Sequence, residues 1–105
     1  MEKSKLRRFN TSTIAILNEV GSIHVQHIAL LTTIALEDGE LTITDAARRC
    51  GLSQQVASRV FRIMRTPEDG GSYSFVVLAH KDNNYREKFL YITPEGIAFL
   101  EKIIS

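Results

Sequence analysis

Within residues 53–65, SQQVASRVFRIMR, the side chains able to recognise another molecule all fall on one side. A helix turning about 100° per residue places Gln54, Gln55, Ser58, Arg59, Arg62 and Arg65 together, and Val56, Ala57, Val60, Phe61, Ile63 and Met64 opposite them. The outer side thus carries three arginines, two glutamines and a serine, and no carboxylate. In the major groove an amide pairs bidentately with adenine and a guanidinium with guanine, so Gln54, Gln55, Arg59 and Arg62 are candidates for reading base edges. Ser53, Ser58, Thr44, Arg48 and Arg65 suit phosphate oxygens, contacts that fix register without reading sequence.

Other chemistries are poorly served. The chain assembles no paired carboxylates, no nucleophile beside a base and no glycine loop for phosphate; Gly70-Gly71 reads as a turn, so no enzyme is expected. His24 and His27 share a helix face, but no carboxylate or cysteine is placed to complete a metal site. They are expected to be partly exposed residues of a first helical turn, and neither metal nor cofactor is implied. Cys50 is the only cysteine. It allows no internal disulfide, fits a reducing compartment and is expected to be a small buried hydrophobe.

The 105 residues, 44% hydrophobic and 24% charged, correspond to one domain with an ordinary core. No apolar run reaches bilayer length and no signal-peptide core follows the charged first ten residues, so a cytoplasmic protein without membrane contact is expected. A net charge of +1 conceals strong segregation. Residues 1–10 hold four bases against one acid, 11–40 hold four acids alone, and 41–65 hold five arginines against Asp45. A cationic surface of this kind attracts a polyanion even when the total charge is small.

The elements that must position residues 53–65 follow in order. Residues 1–10 form a basic arm, and 11–105 a single domain. Thr11, Ser12 or Thr13 caps a helix to about Val20, with Ile14, Leu17 and Val20 inward and Gly21 as its stop. A helix from about His24 to Glu37 has Ile28, Leu31, Ile34 and Ala35 as its core stripe. Leu41-Thr42-Ile43 suggests a brief strand, after which Thr44 caps a short helix over 45–50 that Gly51 ends. Ser53 then caps the polar, cationic helix, which completes a helix-turn-helix. Pro67 and the run to Gly71 break the chain. Tyr73–His80 and Tyr85–Ile92 read as two strands around a polar turn. Thr93 caps a last helix with Pro94 at its first position, and Ile97, Leu100 and Ile104 facing inward.

The predicted class is α+β, mostly α: a winged helix-turn-helix with a two-stranded wing at 73–92. Two segments, GELTITDAARRCGLSQQVASRV and REKFLYITPEG, resemble the MarR family of bacterial transcriptional regulators. With the helix before them they cover about residues 24–104. The resemblance implies a recognition helix in the major groove, with Ser53, Ser58 and Arg59 at recognition positions. It also implies that Arg86 enters a minor groove from the wing, where Lys81 and Lys88 add positive charge. Asn84 stands where the family usually has an aspartate two residues before that arginine. The stretch TPEDGGSYS departs from the family pattern, and of the long C-terminal dimer helices only 95–104 remains, so no small-molecule effector is carried over.

One recognition helix reads only a few base pairs, so a two-fold dimer on double-stranded DNA is expected. The N- and C-terminal helices, rich in apolar surface at Ile14, Ile16, Leu17, Ile103 and Ile104, are the expected homodimer interface. A replication initiator or accessory DNA-binding protein would use the same surface. A protein-interaction winged helix would instead show acids or apolar groups on the recognition face.

Overall fold

The computed structural model describes residues 2–20 and 25–104. Among the described residues there are five α-helices: α1, Lys3–Val20; α2, Val25–Leu36; α3, Ile43–Cys50; α4, Gln54–Met64; and α5, Pro94–Ile103, with a single 3-10 turn at Pro67–Asp69 after α4. Strands β1, Val76–Lys81, and β2, Asn84–Ile92, form one antiparallel hairpin, so the architecture is a mostly helical winged helix. No described helix is long and apolar enough to cross a membrane.

The core gathers around α2, which packs against α3, α4, α5 and β2. Its buried residues are His27, Leu30, Leu31 and Ile34, an i, i+3, i+4, i+7 stripe. Ile28 and Ala35, assigned inward from the sequence, lie at the flanks, half-buried. His27 corrects the expectation of a partly exposed residue: it starts the buried stripe one turn before Leu30 and Leu31. His24 lies outside the described residues, as does the predicted stop at Gly21.

The first helix also differs from expectation. Residues 3–10 are continuous with it, because Lys, Leu and Arg are good helix formers. Thr13, one of the proposed caps, lies inside the helix and donates its hydroxyl to the Asn10 carbonyl at 2.8 Å. Ala15 and Ile16 pack against the core, whereas Ile14 and Leu17 are 49% and 62% exposed. The helix carries apolar residues on several sides, so spacing alone did not select the inner one. In α5 the inward stripe is Gly96, Phe99, Leu100 and Ile103, with Ile97 and Ile104 left exposed.

The predicted strand at 41–43 is absent. Thr42 caps α3 by accepting the Asp45 N–H at 3.2 Å, while its own N–H donates to Asp45 Oδ2 at 3.2 Å. This reciprocal capping box moves the helix start ahead of Thr44 and outweighs the β preference of Thr42-Ile43. Leu41 still touches the wing, its carbonyl accepting the Leu90 N–H at 2.8 Å.

Candidate nucleic-acid interface

Gly51, at φ 71°, ends α3 and turns the chain into α4, and Ser53 Oγ caps α4 by accepting the Val56 N–H at 3.2 Å. The positive φ is the reason for glycine here. Ala57, Val60, Phe61 and Met64 bury the inner face of α4. Small Ala46 and Ala47, both buried, let α3 lie close against it.

This packing fixes which side chains of α4 look outward. Gln54, Gln55, Arg59 and Arg62 are exposed, as are Ser53 and, on α3, Thr44 and Arg48; Ser58 is half-buried. Arg48 makes a loose ion pair with Asp45, 3.9 Å away. Arg65, half-buried, lies with its guanidinium 5.5 Å from the Phe61 ring centroid and ends the helix. Ile63 departs from the sequence reading: it is 37% exposed and shares a cleft with Gln26, His27 and Arg59. It stands four residues after Arg59 and so leans toward the same side, a signal present in the spacing.

The connection from α4 to the wing folds back on the helix. Phe75 N–H donates to the Met64 carbonyl at 2.9 Å, Ser72 N–H to the Ile63 carbonyl at 2.8 Å, and Ser74 adopts φ 61°. Residues 73–75 are therefore drawn to the end of α4, and β1 starts at Val76 instead of Tyr73. In the hairpin Val76 pairs with Ile92, Leu78 with Leu90 and Lys81 with Asn84, around a two-residue turn at Asp82-Asn83 and an irregularity after Ala79.

At the tip, Asn84 Oδ1 accepts the backbone N–H groups of Arg86 and Glu87 at 3.1 and 3.2 Å, and its amide donates to Glu87 Oε1 at 3.2 Å. The amide thus holds the backbone beneath Arg86. Arg86 and Lys88 are exposed. Lys81 is turned toward the body of the protein, its Nζ 3.3 Å from Glu40 Oε2 and 4.4 Å from the Phe89 ring centroid. Two features here were missed in the sequence. Tyr85 is 78% exposed beside Arg86, and Arg49 is paired with Glu37. Residues 85–88 of β2 are all exposed, so alternation gave no signal for the first; the second joins α3 to the turn after α2, twelve residues earlier in the chain.

Cys50 Sγ, half-buried, lies 3.3 Å from Thr33 Oγ1. Among the described residues no group of three potential metal ligands converges.

No protein-family model matches the sequence, nor does any curated protein sequence. Solved structures do match. Transcriptional regulator Tm0710 from Thermotoga maritima superposes over 97% of this chain and 66% of its own, with TM-score 0.73 and 17% identity. This is the MarR-type winged-helix fold. MarR itself is similar over 96% of this chain and 73% of its own, at TM-score 0.61 and 22% identity. The transcriptional repressor CouR, in a structure bound to a 23-mer DNA duplex, matches over 96% and 65% at TM-score 0.68 and 17% identity. The MarR-like chain described here therefore spans about two thirds of the length of several of these regulators.

Proposed function

We propose that this chain is a sequence-specific binder of double-stranded DNA and acts as a transcriptional regulator. The observation that carries the reading is α4: its apolar face is locked in the core, and its exposed face offers Gln54, Gln55, Arg59 and Arg62 without a carboxylate. That geometry suits a helix lying in a major groove, where each bidentate pair discriminates by about 1–3 kcal/mol. Ser53, Ser58, Thr44, Arg48 and Arg65 border the helix as phosphate ligands. The wing sets Arg86 and Lys88 at a minor groove, with Asn84 holding the turn beneath. The duplex-bound state of CouR, a protein of the same fold, supports the reading.

Specific binding on this scheme uses a homodimer. The exposed apolar residues of α1, Leu6, Phe9, Ile14 and Leu17, together with Ile104 after α5, supply its interface. Selection of bound sequences from random duplexes at about 150 mM salt tests the reading, since non-specific contacts weaken steeply as salt rises. An inverted repeat with half-sites about 34–36 Å apart is expected. Binding without sequence enrichment would refute specific regulation.

A further inference from the structure

A single acidic turn, residues 37–40, grips both halves of the proposed DNA-binding surface. Glu37 is ion-paired with Arg49 near the end of α3. Asp38 Oδ1 accepts the Ile92 N–H at 2.8 Å, and the Gly39 N–H donates to the Leu90 carbonyl at 2.8 Å, both on β2. Glu40 pairs with Lys81 at the end of β1. Gly39 has φ 79°, and a Cβ there would lie 2.6 Å from the Tyr91 ring, so the turn is seated directly on the wing strand. Four successive residues thus connect α2 to the helix-turn-helix on one side and to the hairpin on the other.

We infer that the turn at 37–40 is a brace that sets the wing relative to the recognition helix, and that Lys81 is its wing-side anchor and not a DNA ligand. This rests on the DNA-binding reading above. Two contacts converge on the one ammonium: the Glu40 carboxylate ties it to the turn, and the face of Phe89, on the wing's own β2, holds it from the hairpin side. Arg86 and Lys88, exposed on β2, have no ion-pair partner among the described residues and keep their charge for phosphate. Glu40 and Lys81 are therefore positioning residues. Each acts on DNA through the wing it steadies.

The alternative assignment, Lys81 as a phosphate ligand held by Glu40 until DNA arrives, predicts different results. E40Q, K81Q and R86Q would be compared on a duplex carrying the selected sequence between about 50 and 200 mM salt. For a brace, E40Q and K81Q each raise Kd about two- to five-fold, the scale of an exposed ion pair, and the double variant is no worse than either alone. The slope of log K against log salt stays unchanged in K81Q and becomes shallower by about 0.9 in R86Q. A similar loss of slope in K81Q, or tighter binding by E40Q, overturns the assignment. Hydrogen exchange at the Leu90 and Ile92 amides judges the brace without DNA: exchange about two- to five-fold faster in both E40Q and K81Q is expected from the loss of such a pair. Unchanged exchange in both variants overturns the brace. Failure of the unmodified chain to bind any duplex would remove the DNA reading while leaving the exchange result to decide the brace.

Discussion

Asn84 accepts the backbone N–H of Arg86 through its side-chain oxygen, at 3.1 Å, and so shapes the tip of the wing from within. The same oxygen takes the Glu87 N–H, and the hairpin turn gains two ties from one amide. A carboxylate at this position could accept the same two N–H groups, but it could not donate to Glu87, and it would bring two negative charges together. The amide suits this wing because Glu87 is its neighbour.

Asn84→Ala should therefore loosen the wing without emptying the core. Removing the two backbone ties, together with the side-chain bond to Glu87, costs about 1–2 kcal/mol of local stability at an exposed site. Amide exchange at Arg86 and Glu87 should accelerate about 5- to 30-fold while α2 stays protected. Duplex affinity should fall with it. Unaltered exchange at those two amides would mean that the hairpin holds its shape without Asn84.

Arg59 and Arg65 should fail differently. Arg59 is exposed on the outer face of α4, whereas Arg65 closes the helix over Phe61. Arg59→Ala should cost about 1–3 kcal/mol on the selected sequence and much less on random duplex, because a base pair loses its reader. Arg65→Ala should weaken both duplexes alike and make the salt dependence shallower by about 0.9. Equal losses on both DNAs for Arg59→Ala would contradict a base-reading role.

How much of this was written in the sequence depends on the range of the interactions. The polar face of α4, the caps at Ser53 and Thr93 and the stop at Gly51 are local signals, and each lies where residue type and spacing put it. The start of α3 is also a local signal, but the β-branched pair Thr42-Ile43 masks the Thr42 and Asp45 pairing. Helix α1 was ambiguous for a different reason: with apolar residues on several sides, only its neighbours decide that Ile16 is inside and Leu17 outside. Glu40 and Lys81 are 41 residues apart, and nothing local signals their meeting. It exists only once the hairpin has folded against α2.

Gly71 should be far less replaceable than Gly51, although both belong to turns. A Cβ on Gly71 would lie 1.9 Å from the Arg65 carbonyl oxygen, where the connection folds back on the end of α4. Backbone must then move, and Gly71→Ala should cost about 3 kcal/mol by chemical denaturation. Gly51, at φ 71° with open space around it, pays only the left-handed penalty, about 1 kcal/mol. The reverse order of stabilities would show that the 71–75 connection is free to relax away from the helix.

The outward side of α1 should decide the oligomeric state. Phe9 is 67% and Leu17 62% exposed, and an open cleft between α1, α2 and α5 is lined by Phe9, Ile16, Ile28, Ile103 and Ile104. Apolar surface of this extent gains about 25 cal/mol for each Å² removed from water. Burial against a second copy would remove it on both subunits at once. Sedimentation at tens of micromolar should give a dimer, and Phe9→Glu with Leu17→Glu should give a folded monomer, since neither side chain supports the core. The paired variant should also lose the preference for an inverted repeat while retaining weak binding to a single half-site. A monomeric parent chain at those concentrations would remove the interface, and recognition would then have to come from one α4 and one wing alone.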